Sequence, residues 1–296
     1  MYKKHIILVF SLLLFISCNV DKDQDFKNQI QNDLNNIKGN TALVLFDLNQ
    51  NKTLLNINSK AEFHAASTMK VPVMIEVFKQ AREGKFSIKD SILVKNEFKS
   101  IVDGSAYHMD ITDDGGDELY KMVGKKVTIE KLVYDMIAVS SNLATNILID
   151  MVDAKKVTET MRSLGADKIE VLRGVEDQKA YDKGLSNSTT ANDLVQIFKG
   201  IASNAAGSES ECNNMLSILK DQKYNDLIPK YYPKNVTVAH KTGSITGVHH
   251  DAGIIYLPNG NSYVLVILSK NLEDFDRGTD ALAKISKKIL DQLTIQ

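Results

Sequence analysis

The chain has 296 residues, 43% hydrophobic and 25% charged, which is enough apolar material for a sizeable buried core. With 36 basic against 37 acidic side chains, its formal net charge is −1, and no basic stripe or tail offers a footprint for nucleic acid. It contains no Trp, and its aromatic residues do not gather into a stacking platform for bases.

Lys3 and Lys4 precede an almost unbroken apolar run from Ile6 to Ile16 that ends at Ser17-Cys18. A basic start, a short apolar run and a small residue make a secretory signal. The run is too short to span a bilayer as a helix. An ordinary signal peptide with an incidental Cys and an uncleaved anchor are the alternatives to lipidation. Phe15-Ile16-Ser17-Cys18 resembles a bacterial lipobox, with Phe15 where Leu is commoner. That resemblance implies a signal peptide over 1–17 and a lipid on Cys18. The protein is then exported and held to a bacterial membrane on its periplasmic or surface side. Residues 18–38 read as a polar tether and the start of a first helix. Cys212, the only other cysteine, then has no disulfide partner and reads as a structural thiol.

Thr41 to Leu48 is β-rich, and a polar turn at Asn49-Gln50-Asn51 joins it to a second apolar stretch through Leu54, Leu55 and Ile57, a hairpin. From Ser67 to Arg82, Met69, Val73, Met74, Val77 and Phe78 recur at helical spacing. Pro72 falls near the first turn of that helix, where a missing N–H costs least, and Gly84 is a natural stop. Val127 to Met151 reads as two helical stretches meeting near Ser140, and residues 152–190 as mixed and turn-rich. Thr190 to Ala202 is helical again. Val236 to His240, Ala252 to Leu257 and Ser262 to Leu268 are predicted strands, the last two joined by a turn at Pro258-Asn259-Gly260-Asn261. An amphipathic helix closes the chain over about Asp276 to Leu293. Strands at both ends with helices between predict an α+β unit whose sheet joins the two termini.

Three short motifs carry chemistry. Ser67-Thr68-Met69-Lys70 places a lysine one helical turn after a serine, so both side chains share a face. A lysine buried there is a candidate base for a hydroxyl that is otherwise a poor nucleophile. Ser217-Ile218-Leu219-Lys220 fits the same pattern and reads as accidental. Ser140-Ser141-Asn142 supplies a second hydroxyl and an amide able to hold a carbonyl. Lys241-Thr242-Gly243 follows a predicted strand, with a lysine and a hydroxyl for a carboxylate and a glycine that leaves the strand edge open. Singly, each has an ordinary alternative: Ser67 as a helix N-cap, Asn142 as a turn residue, Lys241 as a surface lysine. Those alternatives leave the ordered arrangement unexplained.

Together the three motifs resemble the S-x-x-K, S-D-N, K-T-G signature of serine β-lactamases and penicillin-binding proteins; the resemblance runs over essentially the whole mature chain and looks closer to class A than to the larger transpeptidases. The resemblance implies a β-lactamase/transpeptidase-like α+β fold in a single serine-hydrolase domain over 39–296. Its sheet subdomain would cover 39–66 and 225–296, and its mainly helical subdomain 67–224. It implies catalytic roles for Ser67 as acylated nucleophile, Lys70 as its proton acceptor or relay and Ser140 as proton donor to the leaving group. Asn142, Lys241, Thr242, Gly243 and Ser244 would bind substrate, with the N–H groups of Ser67 and Ser244 forming the oxyanion hole. Glu176, in Arg173-Gly174-Val175-Glu176-Asp177, is the candidate to activate the deacylating water, with a solvated loop carboxylate as the alternative. Asn146 matches a position that braces that loop.

The sequence departs from the family pattern in three places. Ser141 stands where the family has Asp, so a loop-bracing carboxylate is missing from that position. Ala180 stands where the family has Asn, four residues after the glutamate. No arginine follows on the strand after Lys241; His249 and His250 stand nearby, with a structural or substrate-side role favoured over metal binding. The implied activity is β-lactam hydrolysis. The alternatives are a D-Ala-D-Ala peptidase or other amide or ester hydrolase, and an inactive surface lipoprotein that binds peptidoglycan or a partner. A small-molecule substrate, a membrane reached through a lipid anchor, a monomeric state, and no metal, organic cofactor or nucleic acid complete the expectation.

Overall fold

The computed structural model describes residues 24–295, so the signal segment and Cys18 lie outside the described residues. A helix over 24–35 (α1) leads into the hairpin β1 (Asn40–Asp47) and β2 (Lys52–Ile57). A short strand β3 (Phe63–His64) and a 3-10 turn (Ala66–Met69) run into α2 (Lys70–Arg82). Small elements follow: β4 (Ser91–Leu93), β5 (Phe98–Lys99), β6 (Ala106–Tyr107), α3 (Asp117–Tyr120) and β7 (Lys126–Thr128). The helical part continues with α4 (Ile129–Ala138), α5 (Asn142–Val152), α6 (Ala154–Ser163), α7 (Gln178–Asp182), β8 (Ser188–Thr189), α8 (Ala191–Ala202) and α9 (Glu209–Lys220). The chain closes on β9 (Thr237–Ile245), β10 (Val248–Tyr256), β11 (Ser262–Lys270) and α10 (Phe275–Ile295).

Five of these strands form one antiparallel sheet in the order β2-β1-β11-β10-β9. β1 lies beside β11, with Asn40 opposite Lys270 and Asp47 opposite Tyr263, so the sheet joins the chain ends as expected. Both faces are covered, which is why the strands read as continuous apolar runs rather than alternating ones. Side chains still alternate with period two. Ala42, Val44 and Phe46, with Val264, Val266 and Leu268, face the helices through Met74, Leu132, Leu148, Phe198 and Met215. Leu43 and Leu45, with Leu265 and Ile267, face Ile30 and Leu34 of α1 and Leu282, Ile285 and Ile289 of α10. Each such buried side chain contributes about 1.5–3 kcal/mol, so both covers hold the sheet firmly behind the strand β9 that borders the site.

Local sequence accounts for most boundaries. Pro72 is the third residue of α2, and Gly84 just beyond that helix has φ +79°, a conformation glycine adopts freely. Thr190 and Asp193 cap α8 reciprocally. Three features differ from expectation. The strand predicted over 236–240 continues to Ile245, so Lys241-Thr242-Gly243 lie within β9 rather than after it. α6 occupies part of the stretch predicted as turn-rich; only Val157, Thr160 and Met161 are buried on it, a stripe too thin to read. α9, for which no helix was predicted, has a capping box between Ser208 and Glu211 and buries Cys212, Met215, Ile218 and Leu219. Cys212 is fully buried there and burial pushes its thiol up, as suits a structural residue. The second serine–lysine motif also lies on α9, with Ser217 and Lys220 exposed and the Lys220 ammonium over the Tyr256 ring at 5.0 Å.

Candidate active site

Ser67 lies in the 3-10 turn that α2 prolongs, half-buried, with its N–H at the start of a helical run. It does not cap a helix: the turn is capped at Ala65 and α2 at Met69, neither through a side-chain hydrogen bond. β9 passes directly beside this turn. A Cβ on Gly243 would stand 3.0 Å from the Ser67 nitrogen and 3.2 Å from the Ala66 Cβ, so the approach needs glycine.

Lys70 is fully buried and turns its ammonium toward the loop between α4 and α5. Its Nζ donates to Ser140 O at 2.6 Å, Ser140 Oγ at 3.2 Å and Asn142 Oδ1 at 2.8 Å. Lys241, also fully buried, donates to the same Ser140 Oγ at 3.0 Å and to Thr242 O at 2.9 Å. Two lysines thus occupy both lone pairs of one hydroxyl, and its own hydrogen is left to donate elsewhere. Burial lowers the Lys70 pKa to about 7, against the opposing charges of Asp114 and Glu176. Burial, reinforced by the Lys70 charge, also holds Lys241 well below the usual lysine range, with Asp251 opposing.

Glu176 reaches this cluster from the segment between α6 and α7. Its Oε1 accepts from Asn142 Nδ2 at 2.8 Å, so one amide joins Lys70 to the carboxylate. The segment is braced as the Asn146 match implied. Asn146 Oδ1 accepts from Val175 N at 2.7 Å and its Nδ2 donates to Val175 O at 3.0 Å. A Cβ on Gly174 would come within 2.3 Å of Asn146 Oδ1, so glycine there lets the loop sit on α5. Asp177 caps α7 and accepts from Ser100 Oγ at 2.8 Å and Ile101 N at 2.9 Å. Ala180 is buried inside α7.

The absent carboxylate at Ser141 has a replacement that the sequence reading missed. Asp114 approaches from the facing loop, accepting from Asn142 N at 2.9 Å, Leu143 N at 2.8 Å and Ser141 Oγ at 3.3 Å. The bracing carboxylate is present, supplied from the opposite side of the contact, at the N-terminus of α5 where a negative charge is favoured. Ser141 itself is the N-cap of α5, accepting from Ala144 N.

Eight non-glycine residues among those described have positive φ. Five are Asn or Asp, which tolerate that region. The other three are Ala66 (φ +45°), Ser140 (φ +59°) and Glu176 (φ +62°), all in this cluster. Strained backbone of this kind costs on the order of 1–3 kcal/mol per residue and collects at functional sites.

Two cavities meet at Ser67. One of about 570 Å³ is lined by His64, Arg173, Glu176 and Tyr181; one of about 330 Å³ by Ser140, Thr242, Tyr224 and His249; Ser67, Asn142 and Ser244 border both. Every predicted site residue therefore falls in one cluster except Cys18, which is not described. His249 and His250 part ways. His249 reaches the smaller cavity, stacked on Phe275 at 5.1 Å and hydrogen-bonded to Thr279 Oγ1 at 2.8 Å. His250 points inward to His64 O at 2.8 Å.

The beta-lactamase enzyme family model matches residues 25–293. The VEB-1 β-lactamase of Pseudomonas aeruginosa is 21% identical over 96% of this chain and 96% of its own length. Among solved structures, a β-lactamase from Sphaerobacter thermophilus superposes with a TM-score of 0.75 at 28% identity, covering 87% of this chain and 93% of that one. The structure of PBP-A superposes with a TM-score of 0.78 at 24% identity, covering 92% and 97%. The fold is thus the β-lactamase/transpeptidase-like α+β fold.

Proposed function

Because the chain belongs to the beta-lactamase enzyme family, we propose that it hydrolyses β-lactams through an acyl-enzyme at Ser67. The observation that carries this reading is the continuous set of contacts from Lys241 through Ser140, Lys70 and Asn142 to Glu176, of which Ser140, Asn142 and Glu176 line the Ser67 cavities. In acylation, Ser67 Oγ attacks the lactam carbonyl and its proton passes to the Lys70 amine, which a pKa near 7 leaves partly neutral at neutral pH. The oxyanion is received by the N–H groups of Ser67 and Ser244. As the C–N bond breaks, the Ser140 hydrogen goes to the leaving nitrogen and Ser140 is reprotonated from Lys70. Lys241 and Thr242 hold the substrate carboxylate, with His249 on the same cavity wall. In deacylation, Glu176 takes a proton from water as the water attacks the ester, and Ser67 regains its hydrogen. No metal or organic cofactor is needed. A chromogenic cephalosporin should be turned over many times by the purified domain and not by Ser67→Ala; turnover surviving that substitution would refute the reading.

A second reading, a D-Ala-D-Ala peptidase that β-lactams inhibit, draws on Ala180. No amide stands there to share the deacylating water with Glu176, and PBP-A is as similar in fold as the lactamases. A penicillin adduct that persists for hours would select it.

We also propose export and anchoring through Cys18. Among the described residues no helix is long and apolar enough to cross a membrane. Cells given labelled palmitate should label the protein, and Cys18→Ala should abolish the label; label retained in that variant would contradict the anchor.

A further inference from the structure

We propose that His64 is a positioning residue for the nucleophile, its ring Nδ1 holding the Ala66 N–H and so fixing the turn that presents Ser67. Ala66 has φ +45° and no polar side chain of its own to support that conformation. Its N–H donates to His64 Nδ1 at 3.0 Å. The residues on either side are pinned as well: Ala65 N donates to Asn187 O at 2.8 Å, and Thr68 Oγ1 to Ala65 O at 2.5 Å. Behind the turn, His250 Nε2 meets His64 O at 2.8 Å, while His250 Nδ1 accepts from Ser269 N at 3.2 Å.

These partners fix both tautomers. A backbone N–H can be accepted only by an unprotonated ring nitrogen, so each ring carries its proton on Nε2 and is neutral. A proton on His64 Nδ1 would face the Ala66 N–H and break the clamp. The surroundings favour the neutral ring. Burial, and then the Arg173 guanidinium across the cavity, hold His64 below its usual range; Tyr181 of α7 stands edge-on at 6.4 Å. Burial holds His250 at about 4, with His249 and His64 beside it.

The peptide plane between Ala66 and Ser67 follows from the Ala66 backbone angles, and that plane aims the Ser67 N–H. Misplacement of such groups by about 1 Å costs roughly 10²-fold, and loss of an oxyanion donor roughly 10²–10³-fold. The inference rests on Ser67 being the acylated residue. In the folded protein, His64→Leu removes the acceptor, whereas His64→Asn places an amide oxygen near the Nδ1 position. Leu should lower kcat/KM for a cephalosporin by roughly 30- to 100-fold, and Asn should restore it to within about threefold. In the unmodified protein, ¹⁵N NMR of the imidazoles should show His64 as the Nε2–H tautomer with Nδ1 bare at neutral pH. A folded Leu variant at the original rate, equal losses in Leu and Asn, or an Nδ1–H tautomer would each overturn the proposal. Should Leu fail to fold, the tautomer decides. A protein that forms no acyl adduct at all would sink the Ser67 reading instead, and the tautomer does not depend on that outcome.

Discussion

Glu176→Gln is expected to give a protein that acylates and then stops. Glutamine keeps the size of the side chain and an oxygen for the Asn142 amide, which Glu176 now accepts at 2.8 Å. It cannot take a proton from water. Deacylation should slow by on the order of 10³–10⁴, while acylation stays within about tenfold. A stoichiometric burst of chromophore followed by a near-flat trace would show this, with the adduct persisting on the protein. The substitution has a second, signed consequence. The Glu176 charge raises the Lys70 pKa, so its loss should shift the rise of acylation with pH to lower pH. Turnover at the original rate in Glu176→Gln would remove Glu176 from deacylation and strengthen the peptidase reading.

Lys70→Ala is expected to lower the acylation rate by on the order of 10³–10⁴, because it removes the proton acceptor and three donors to Ser140 and Asn142 at once. Lys70→Arg should not rescue it, since a guanidinium stays protonated. The sign of the pH dependence follows from the lowered pKa. Burial brings Lys70 from 10.5 to about 7, so below that pH the amine has no free lone pair and above it the neutral form dominates. Single-turnover acylation of the unmodified protein should rise through about pH 7 and then level off. A rate flat from pH 5 to 9, or rapid acylation by Lys70→Ala, would exclude Lys70 as the base.

The fold was legible in the sequence where period and capping agree. The hairpin before Ser67, the strand run at the end and the closing helix each carry a strong local pattern. α6 was hidden because its buried stripe is only three residues wide. α9 was missed despite a readable signal, the Ser208 and Glu211 capping box ahead of an apolar stripe.

The site divides in the same way. Ser67, Lys70, Ser140 and Lys241 were readable because each sits in a short motif of three or four consecutive residues. Asp114 was not, because its role depends on a contact with residues 27 to 29 positions away, Ser141 to Leu143, and nothing local marks it. Its discovery also changes the meaning of Ser141, from a lost brace to a helix cap that a facing carboxylate supports. His64 was invisible for a similar reason, since its partner is the backbone of Ala66 rather than another motif residue. Ala180 stays as the sequence presented it, an apolar residue where water-binding chemistry would be expected, and it keeps deacylation as the step on which the two readings differ.

The central claim is an acyl-enzyme on Ser67 that forms and is released. The most direct test is time-resolved intact mass of the purified domain mixed with a cephalosporin, with peptide mapping of any adduct. The account requires a one-to-one adduct on the Ser67 peptide within the first turnovers, decaying as product accumulates, and none in Ser67→Ala. An adduct on any other residue, or hydrolysis that proceeds unchanged in Ser67→Ala, would contradict it.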